Sequence, residues 1–387
     1  MNRIFILTIF IIMFLSCGNS STNLNTNIFV KPQKAVISNT LNTYKKTIAY
    51  QLDTLFASMN NKGGFNGSII VAKSGTVLYK KAFGYCNKET NCLLNDSSMF
   101  QLASVSKVIT ATAVLMLFER EQLNINKEFK FYFNDFPYSG ITVKQLLNHR
   151  SGLPNYIYFL NSEIAQPNYK MNNTEMYNYI VQKNPKAYLK PNTRFNYCNT
   201  NYALLALLVE KVSGKPFNQF LKEELFTPLG MKHTSTIKDI DLNASNITKP
   251  YNLKWKAVDL DASDYVLGDK SIYSTPYDLF LFSEALYQNK LIKPETQQLA
   301  YSAYSTEKKL SNYGLGWRIK NFEDSLNKEV FHNGWWHGYR SAFHRRLKDT
   351  LTIVILSNQL NKATYQTYRV YQILDNSTAD LDEQDEE

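Results

Sequence analysis

In the stretch "SVSKVITATAVLMLFERE", Ser104 stands three residues before Lys107, just ahead of a long apolar run. On a helix that spacing puts both side chains on one face, one turn apart. A desolvated lysine amine can accept the proton of a serine hydroxyl, leaving an oxygen able to attack a carbonyl carbon. The positive end of the helix dipole favours the oxyanion formed by such an attack. Ser-x-x-Lys recurs at Ser235–Lys238 and Ser305–Lys308, in a polar turn and a charged loop, and only Ser104 opens a buried helix. Taken alone, a serine in this place is also an ordinary helix cap.

A second stretch, "FNYCNTNYALLALLVE", sets Tyr197 and Asn199 just ahead of another apolar helix, after a loop containing Pro191. A phenolate is stabilised by a neighbouring ammonium and can serve as a general base, while an amide two residues on can orient a carbonyl. The chain has 26 tyrosines, so one such residue by itself is more often a packing residue.

The third stretch is "FHNGWWHGYRSAFHRR", which packs His332, Asn333, Gly334, Trp335 and Trp336 onto one predicted strand. A glycine there lets a ligand lie against the backbone, whose N–H groups can act as oxyanion donors.

The elements that must position these residues follow from periodicity. An amphipathic helix is predicted from about Thr43 to Met59, with Ile48, Leu52, Leu55, Phe56 and Met59 on one face. "NGSIIVAK" and "TVLYKKAFGY", separated by Ser74-Gly75, read as a hairpin. Residues 105–265 are mainly helical in pattern, and a helix start is signalled by Thr275 as cap, Pro276 after it and Asp278 three beyond. Strands return in "YGLGWRI", the tryptophan stretch, "SAFHRRL" and "TLTIVILSN", followed by a helix over about 363–374. Strands from both ends and helices from the middle imply an α/β (α+β) architecture. One antiparallel sheet, flanked by terminal helices, would span about 41–104 and 266–375, with a helical insert over about 105–265.

Ser-x-x-Lys, then Tyr-x-Asn about 90 residues on, then His-x-Gly about 130 after that, resembles the serine β-lactamase and penicillin-binding-protein superfamily. The nearest pattern is that of the class C β-lactamase and D-alanyl-D-alanine carboxypeptidase/esterase branch. "FNGSIIVAKSGTVLYKKAFGY", "LLNHRSGLPNY", "LGMKHT", "YSTPYDLFLF" and "NYGLGWRI" are similar to the same family, so the resemblance covers about residues 45–360. It implies Ser104 as the acylated nucleophile, Lys107 as its proton partner and Tyr197 as the base. It also implies Asn199 as a substrate contact, His332 in place of the third motif's cation, and the backbone N–H groups of Ser104 and Trp335 as the oxyanion hole. No cofactor is implied, and the five histidines show no metal-ligand spacing.

The departures from the family pattern bear on substrate. His332-Asn333-Gly334 replaces Lys-Thr-Gly, and histidine carries less positive charge near pH 7. Trp335 and Trp336 follow where β-lactamases carry small residues, and Lys270-Ser271 stand where relatives often have glycines. Cys198 occupies the middle of Tyr-x-Asn, a neutral packing change. These features point to peptide, D-amino-acid or ester hydrolysis, small molecules of cell-wall type included, rather than to efficient β-lactam turnover. A catalytically silent protein that binds peptidoglycan fragments or a partner in the same cleft is the alternative of a different class, and a true β-lactamase is the third reading.

"MNRIFILTIFIIMFLSC" has Arg3, an apolar run over 4–15 and Ser16-Cys17, which fits a signal peptide and resembles a bacterial lipoprotein site with Cys17 lipidated. Residues 1–17 are then a leader, 18–40 a flexible tether to a membrane anchor, 41–375 an exported monomeric domain facing the periplasm or cell exterior, and 376–387 an acidic tail. Cys86 and Cys92 could bridge a loop in that oxidising compartment, leaving Cys198 over. The net charge is +10, and six acids in the last eight positions leave a basic body. Its cations are scattered rather than clustered, which argues against nucleic acid as a partner.

Overall fold

The computed structural model describes residues 33–375 apart from 63, 159–168, 306–310 and 322–326. The chain divides into two compact units, residues 1–44, described only from Gln33, and Lys45–Glu387. Cys17 and the acidic tail 376–387 lie outside the described residues. Among those described, no helix is long and apolar enough to cross a membrane.

The first helix runs Gln33–Asn61 and so begins inside the stretch read as a tether. Its predicted face is the buried one: Ile48, Leu52, Leu55, Phe56 and Met59 join Ile69, Val71, Ile353, Ile355 and Val370 in one apolar layer.

That layer covers one side of a seven-stranded sheet. In spatial order its strands are Thr76–Phe83, Gly67–Lys73, Leu351–Ser357, Tyr339–Arg346, Glu329–Trp336, Arg318–Lys320 and Ser311–Tyr313. All neighbours are antiparallel, and the pairing of Gly67 with Ser357 through Lys73 with Leu351 joins an early strand to a late one. The hairpin turns at Ser74 and Gly75, both with positive φ (50° and 71°), as a two-residue turn of the right twist requires. Alternate residues Ile70, Ala72, Val354 and Leu356 face the second, larger apolar layer, shared with the helical part. A central strand buried on both faces explains why "SIIVA" shows no polar alternation.

The helix Ser106–Glu119 crosses that second layer and is buried from Ser106 to Leu117, as its apolar circumference predicts. The helix Pro276–Tyr287 starts as signalled, with Thr275 Oγ1 accepting from the Asp278 N–H at 3.2 Å.

Two elements differ from expectation. "YGLGWRI" is not one strand but two, Ser311–Tyr313 and Arg318–Lys320, joined through Gly314 and Gly316. A Cβ on Gly314 would lie 2.0 Å from the Ala300 oxygen, and one on Gly316, at φ 88°, would lie 2.3 Å from Ala111 Cβ. Both glycines exist for close approach to the helices. The closing helix is also broken, into a 3-10 turn Ala363–Tyr365 and the helix Thr367–Asp375, with the Tyr365 hydroxyl bonded to the Gly334 carbonyl at 2.7 Å.

Candidate active site

Ser104 sits in a single 3-10 turn, Ala103–Val105, at the mouth of the helix that carries Lys107. A small three-stranded sheet (Phe100–Gln101, Ile272–Ser274 and Ser235–Thr236) delivers the chain to that turn. The Leu102 N–H donates to the Ile272 carbonyl at 2.8 Å, and Ser341 Oγ donates to the Leu102 carbonyl at 2.6 Å. These clamps hold Ala103, fully buried, at φ 47°, a conformation that costs a non-glycine residue about 1–3 kcal/mol. Sequence reading found Ser104 but not the strained residue before it, because alanine carries no signal for positive φ.

Lys107 is 0% exposed, and its Nζ lies 3.2 Å from Ser104 Oγ and 2.8 Å from the Asp269 carbonyl oxygen, to which it donates. The Tyr197 ring lies 5.0 Å from the same Nζ. The Tyr197 hydroxyl is buried and has no hydrogen-bond partner among the described residues. Asn199 is the first residue of the helix Asn199–Ser213, beside that hydroxyl in sequence and partly exposed. Ser104 and Lys107 are thus in direct contact, with the Tyr197 ring beside the same amine, an arrangement that suits proton removal from Ser104.

His149 stands in "LLNHRSGLPNY", a stretch with no role assigned to it from residue type or spacing. It is buried, at φ 56°, and its Nδ1 accepts from the Cys198 N–H at 3.1 Å, while its carbonyl accepts from the Asn196 N–H at 2.8 Å. Its ring lies 4.3 Å from that of Tyr197. His149 therefore fixes the turn that aims Tyr197. Burial, with Lys107, His332 and Arg318 nearby, holds its imidazole well below the usual histidine range and so neutral.

The third stretch forms the strand Glu329–Trp336 as predicted, and its alternation sorts its residues. Gly334 faces Ser104: a Cβ there would lie 3.0 Å from the Ser104 nitrogen, 2.5 Å from the Leu102 oxygen and 2.2 Å from Ser341 Oγ. His332 and Trp336 share that face. Asn333 and Trp335 point to the other, where Asn333 Oδ1 meets His344 Nε2 at 3.0 Å and the Trp335 ring, 54% exposed, lies 4.7 Å from the Arg340 guanidinium. This geometry separates three residues of the stretch. The Asn333 side chain does not face Ser104. Trp336, not Trp335, borders the cleft, so Trp335 contributes there through its backbone alone. His332, 1% exposed, is spent within the protein, with Nε2 3.0 Å from the Tyr313 hydroxyl and Nδ1 2.7 Å from the Asn333 carbonyl.

His332 is also not the expected cation. Burial, then Arg318 and Lys107, push its imidazole well below the ordinary range. Besides Lys107, a positive group near His332 is Arg318, whose guanidinium lies 5.8 Å from the Tyr197 ring. It stands in "GLGWRI", where no residue type or spacing sets it apart from other arginines.

A buried polar network lies behind Trp336. Its indole N–H donates to Asp264 Oδ1 at 2.8 Å, Gln101 Nε2 donates to the same oxygen at 3.0 Å, and Asp264 Oδ2 is taken by the Asp261 N–H (2.7 Å) and His337 Nε2 (2.8 Å). His337, Lys270 and the N–H donors hold the Asp264 carboxyl below its usual range against the opposing effect of burial. Asp261, Asp264 and His337 bring donor atoms within 4.8 Å of one another, the one such grouping found among the described residues. Because Asp264 already accepts four hydrogen bonds, the group reads as a structural hub rather than as a metal site.

The three described cysteines are free thiols. Cys86 and Cys92 are free, and both face the Ser245 carbonyl, at 3.4 and 4.0 Å, so the bridge considered from the sequence is not formed. Cys198 is buried against the Leu153 and Pro154 carbonyls at 3.5 and 3.6 Å, and burial pushes its thiol up to about 11. It packs and does not titrate near neutrality.

Comparison with known proteins gives a consistent picture. The Beta-lactamase family model matches residues 52–377. A penicillin-binding protein of Bacillus subtilis (strain 168) is 31% identical over 335 residues, which are 81% of this chain and 73% of that protein. Among solved structures, an octameric penicillin-binding protein homologue from Pyrococcus abyssi superposes with a TM-score of 0.73 at 22% identity, covering 85% of this chain and 78% of that one. D-amino acid amidase from Ochrobactrum anthropi SV3 superposes with a TM-score of 0.71 at 20% identity, covering 86% and 99%. At these identities the two structures speak for the fold alone.

Proposed function

The chain belongs to the serine β-lactamase and penicillin-binding-protein family of hydrolases, and on that premise we propose that it cleaves peptide or ester substrates through an acyl-enzyme on Ser104. The D-amino-acid peptides of the cell wall are the favoured peptide class. The observation that carries this reading is the 3.2 Å approach of Lys107 Nζ to Ser104 Oγ at the end of a buried helix.

In the first step Ser104 Oγ attacks the substrate carbonyl carbon while its proton passes to the Lys107–Tyr197 pair. The carbonyl oxygen takes up negative charge and is met by the N–H groups of Ser104 and Trp335, the first of which lies close to Gly334, the neighbour of Trp335 on its strand. The proton is then returned to the leaving nitrogen or oxygen as its bond to carbon breaks, and an ester to Ser104 remains. Water attacks that ester, giving its proton to Tyr197, and Ser104 Oγ is released with the proton restored. Asn199 and the Trp336 wall orient the acyl chain.

The neutral His332 supports a peptide or ester hydrolase over an efficient β-lactamase, since the third motif itself offers no cation and Arg318 stands beside Tyr197 instead. The test is labelling of the full-length chain with a fluorophosphonate, a fluorescent penicillin and p-nitrophenyl esters beside Ser104→Ala. Labelling or turnover that depends on Ser104 is expected. No reaction of the wild type with any of them would overturn the proposal, and rapid β-lactam turnover would overturn the substrate preference.

A further inference from the structure

Lys107 has a second lysine close behind it. Its Nζ donates to the carbonyl of Asp269, and the next residue is Lys270, whose side chain is 2% exposed. Lys270 Nζ pairs with Asp269 Oδ2 at 3.1 Å and is hydrogen-bonded to the Tyr156 hydroxyl. Tyr156 in turn donates to Asp269 Oδ2 at 3.1 Å. The carboxylate is 0% exposed, and its other oxygen, Oδ1, is buried without a hydrogen-bond partner among the described residues. Lys270 Nζ also lies 4.9 Å from the ring centroids of Tyr156 and Trp336. The network thus reaches from the proton partner of Ser104 to the wall of the cleft.

Burying a lysine and an aspartate together is costly, and such a pair is weak support for stability. Its place suggests another reason for it. A side chain carries the Asp269 carboxylate no farther than its own length from the backbone oxygen that holds Lys107. An unneutralised carboxylate there, with one oxygen unpartnered, would compete with Ser104 for Lys107 whenever that amine carries a proton.

Building on the acyl-enzyme reading above, we infer that Lys270 is a positioning residue: its ammonium neutralises Asp269 and leaves Lys107 facing Ser104. Tyr156 completes the arrangement by donating to the same carboxylate oxygen. Burial and the Asp269 and Asp264 charges push its phenol well above the usual range, so it remains a donor.

The test is the fluorophosphonate labelling rate of the full-length chain and its variants, with thermal melts recorded alongside. Lys270→Gln keeps hydrogen bonding but removes the charge, and its rate is expected to fall about tenfold to 10²-fold, the scale of a misplaced catalytic group. Lys270→Arg keeps the charge and is expected to stay within about threefold of wild type. The double variant Asp269→Asn/Lys270→Gln removes the competing carboxylate and is expected to recover to a similar level. Wild-type speed in Lys270→Gln, or a double variant as slow as the single one, would overturn the inference. Should Lys270→Gln fail to fold, the other two variants decide it, and a tenfold loss in either would overturn it. Failure of the wild type itself to label would overturn the acyl-enzyme reading and this inference with it.

Discussion

Gly334 lies so close to Ser104 that a single added methyl group would sit 3.0 Å from the Ser104 nitrogen. That approach welds the strand Glu329–Trp336 to the turn before the Lys107 helix. Gly334→Ala would also press on the Leu102 carbonyl and Ser341 Oγ, at 2.5 and 2.2 Å. The expected outcome is a loss of about 1–3 kcal/mol of stability by denaturant titration, as for overpacking elsewhere. A fall in Ser104 labelling of about 10²-fold should accompany it, because the oxyanion donors move apart.

Tyr197→Phe should separate activity from stability. The hydroxyl it removes is buried and has no hydrogen-bond partner among the described residues, so no hydrogen bond is lost. The melting temperature should be unchanged or higher, while the acylation rate falls about 10²- to 10⁴-fold, the range for a general base. A destabilised variant with normal labelling would contradict the assignment.

Stability should decline as pH falls through the histidine range. His149 and His332 are held neutral in the folded protein, below their unfolded value of about 6.5. Below that pH the unfolded chain binds protons that the native state does not, so stability rises with pH and is lost on acidification. Each group contributes up to about 1.4 kcal/mol per pH unit between its unfolded and folded values. Denaturant titrations at pH 7, 6 and 5 should show this decline, and His332→Gln should reduce its slope.

Arg318, rather than His332, should discriminate charged from neutral substrates. Its guanidinium lies 5.8 Å from the Tyr197 ring, and the residue is partly exposed. Arg318→Met is expected to raise KM for a carboxylate-bearing peptide about tenfold or more while leaving a neutral ester within about threefold, the difference expected of a lost charge-assisted contact. Equal effects on both would assign the arginine a structural role.

The sheet was legible because apolar runs such as "TIVIL" and the Ser74-Gly75 turn obey local rules. Ser104, Lys107 and Gly334 were legible because their roles depend on residue type and spacing. What escaped was tertiary. Nothing local distinguishes Ala103 from any other alanine, yet its strained backbone aims Ser104. His149 matters through the Cys198 N–H, 49 positions away, and Arg318 through a ring more than a hundred positions earlier. His332 lies on the strand Glu329–Trp336 as read, but its charge depends on burial, which no motif records. The faces of Asn333 and Trp335 follow from strand alternation once Gly334 is known to face Ser104.

The central claim is that Ser104 becomes acylated with the help of Lys107. It is tested most directly by intact-mass and peptide-level mass spectrometry after incubation with a fluorophosphonate. The account predicts one adduct, on the peptide carrying Ser104, absent in Ser104→Ala and slowed about 10³-fold or more in Lys107→Met. An adduct on another residue, or undiminished labelling without Lys107, would contradict it.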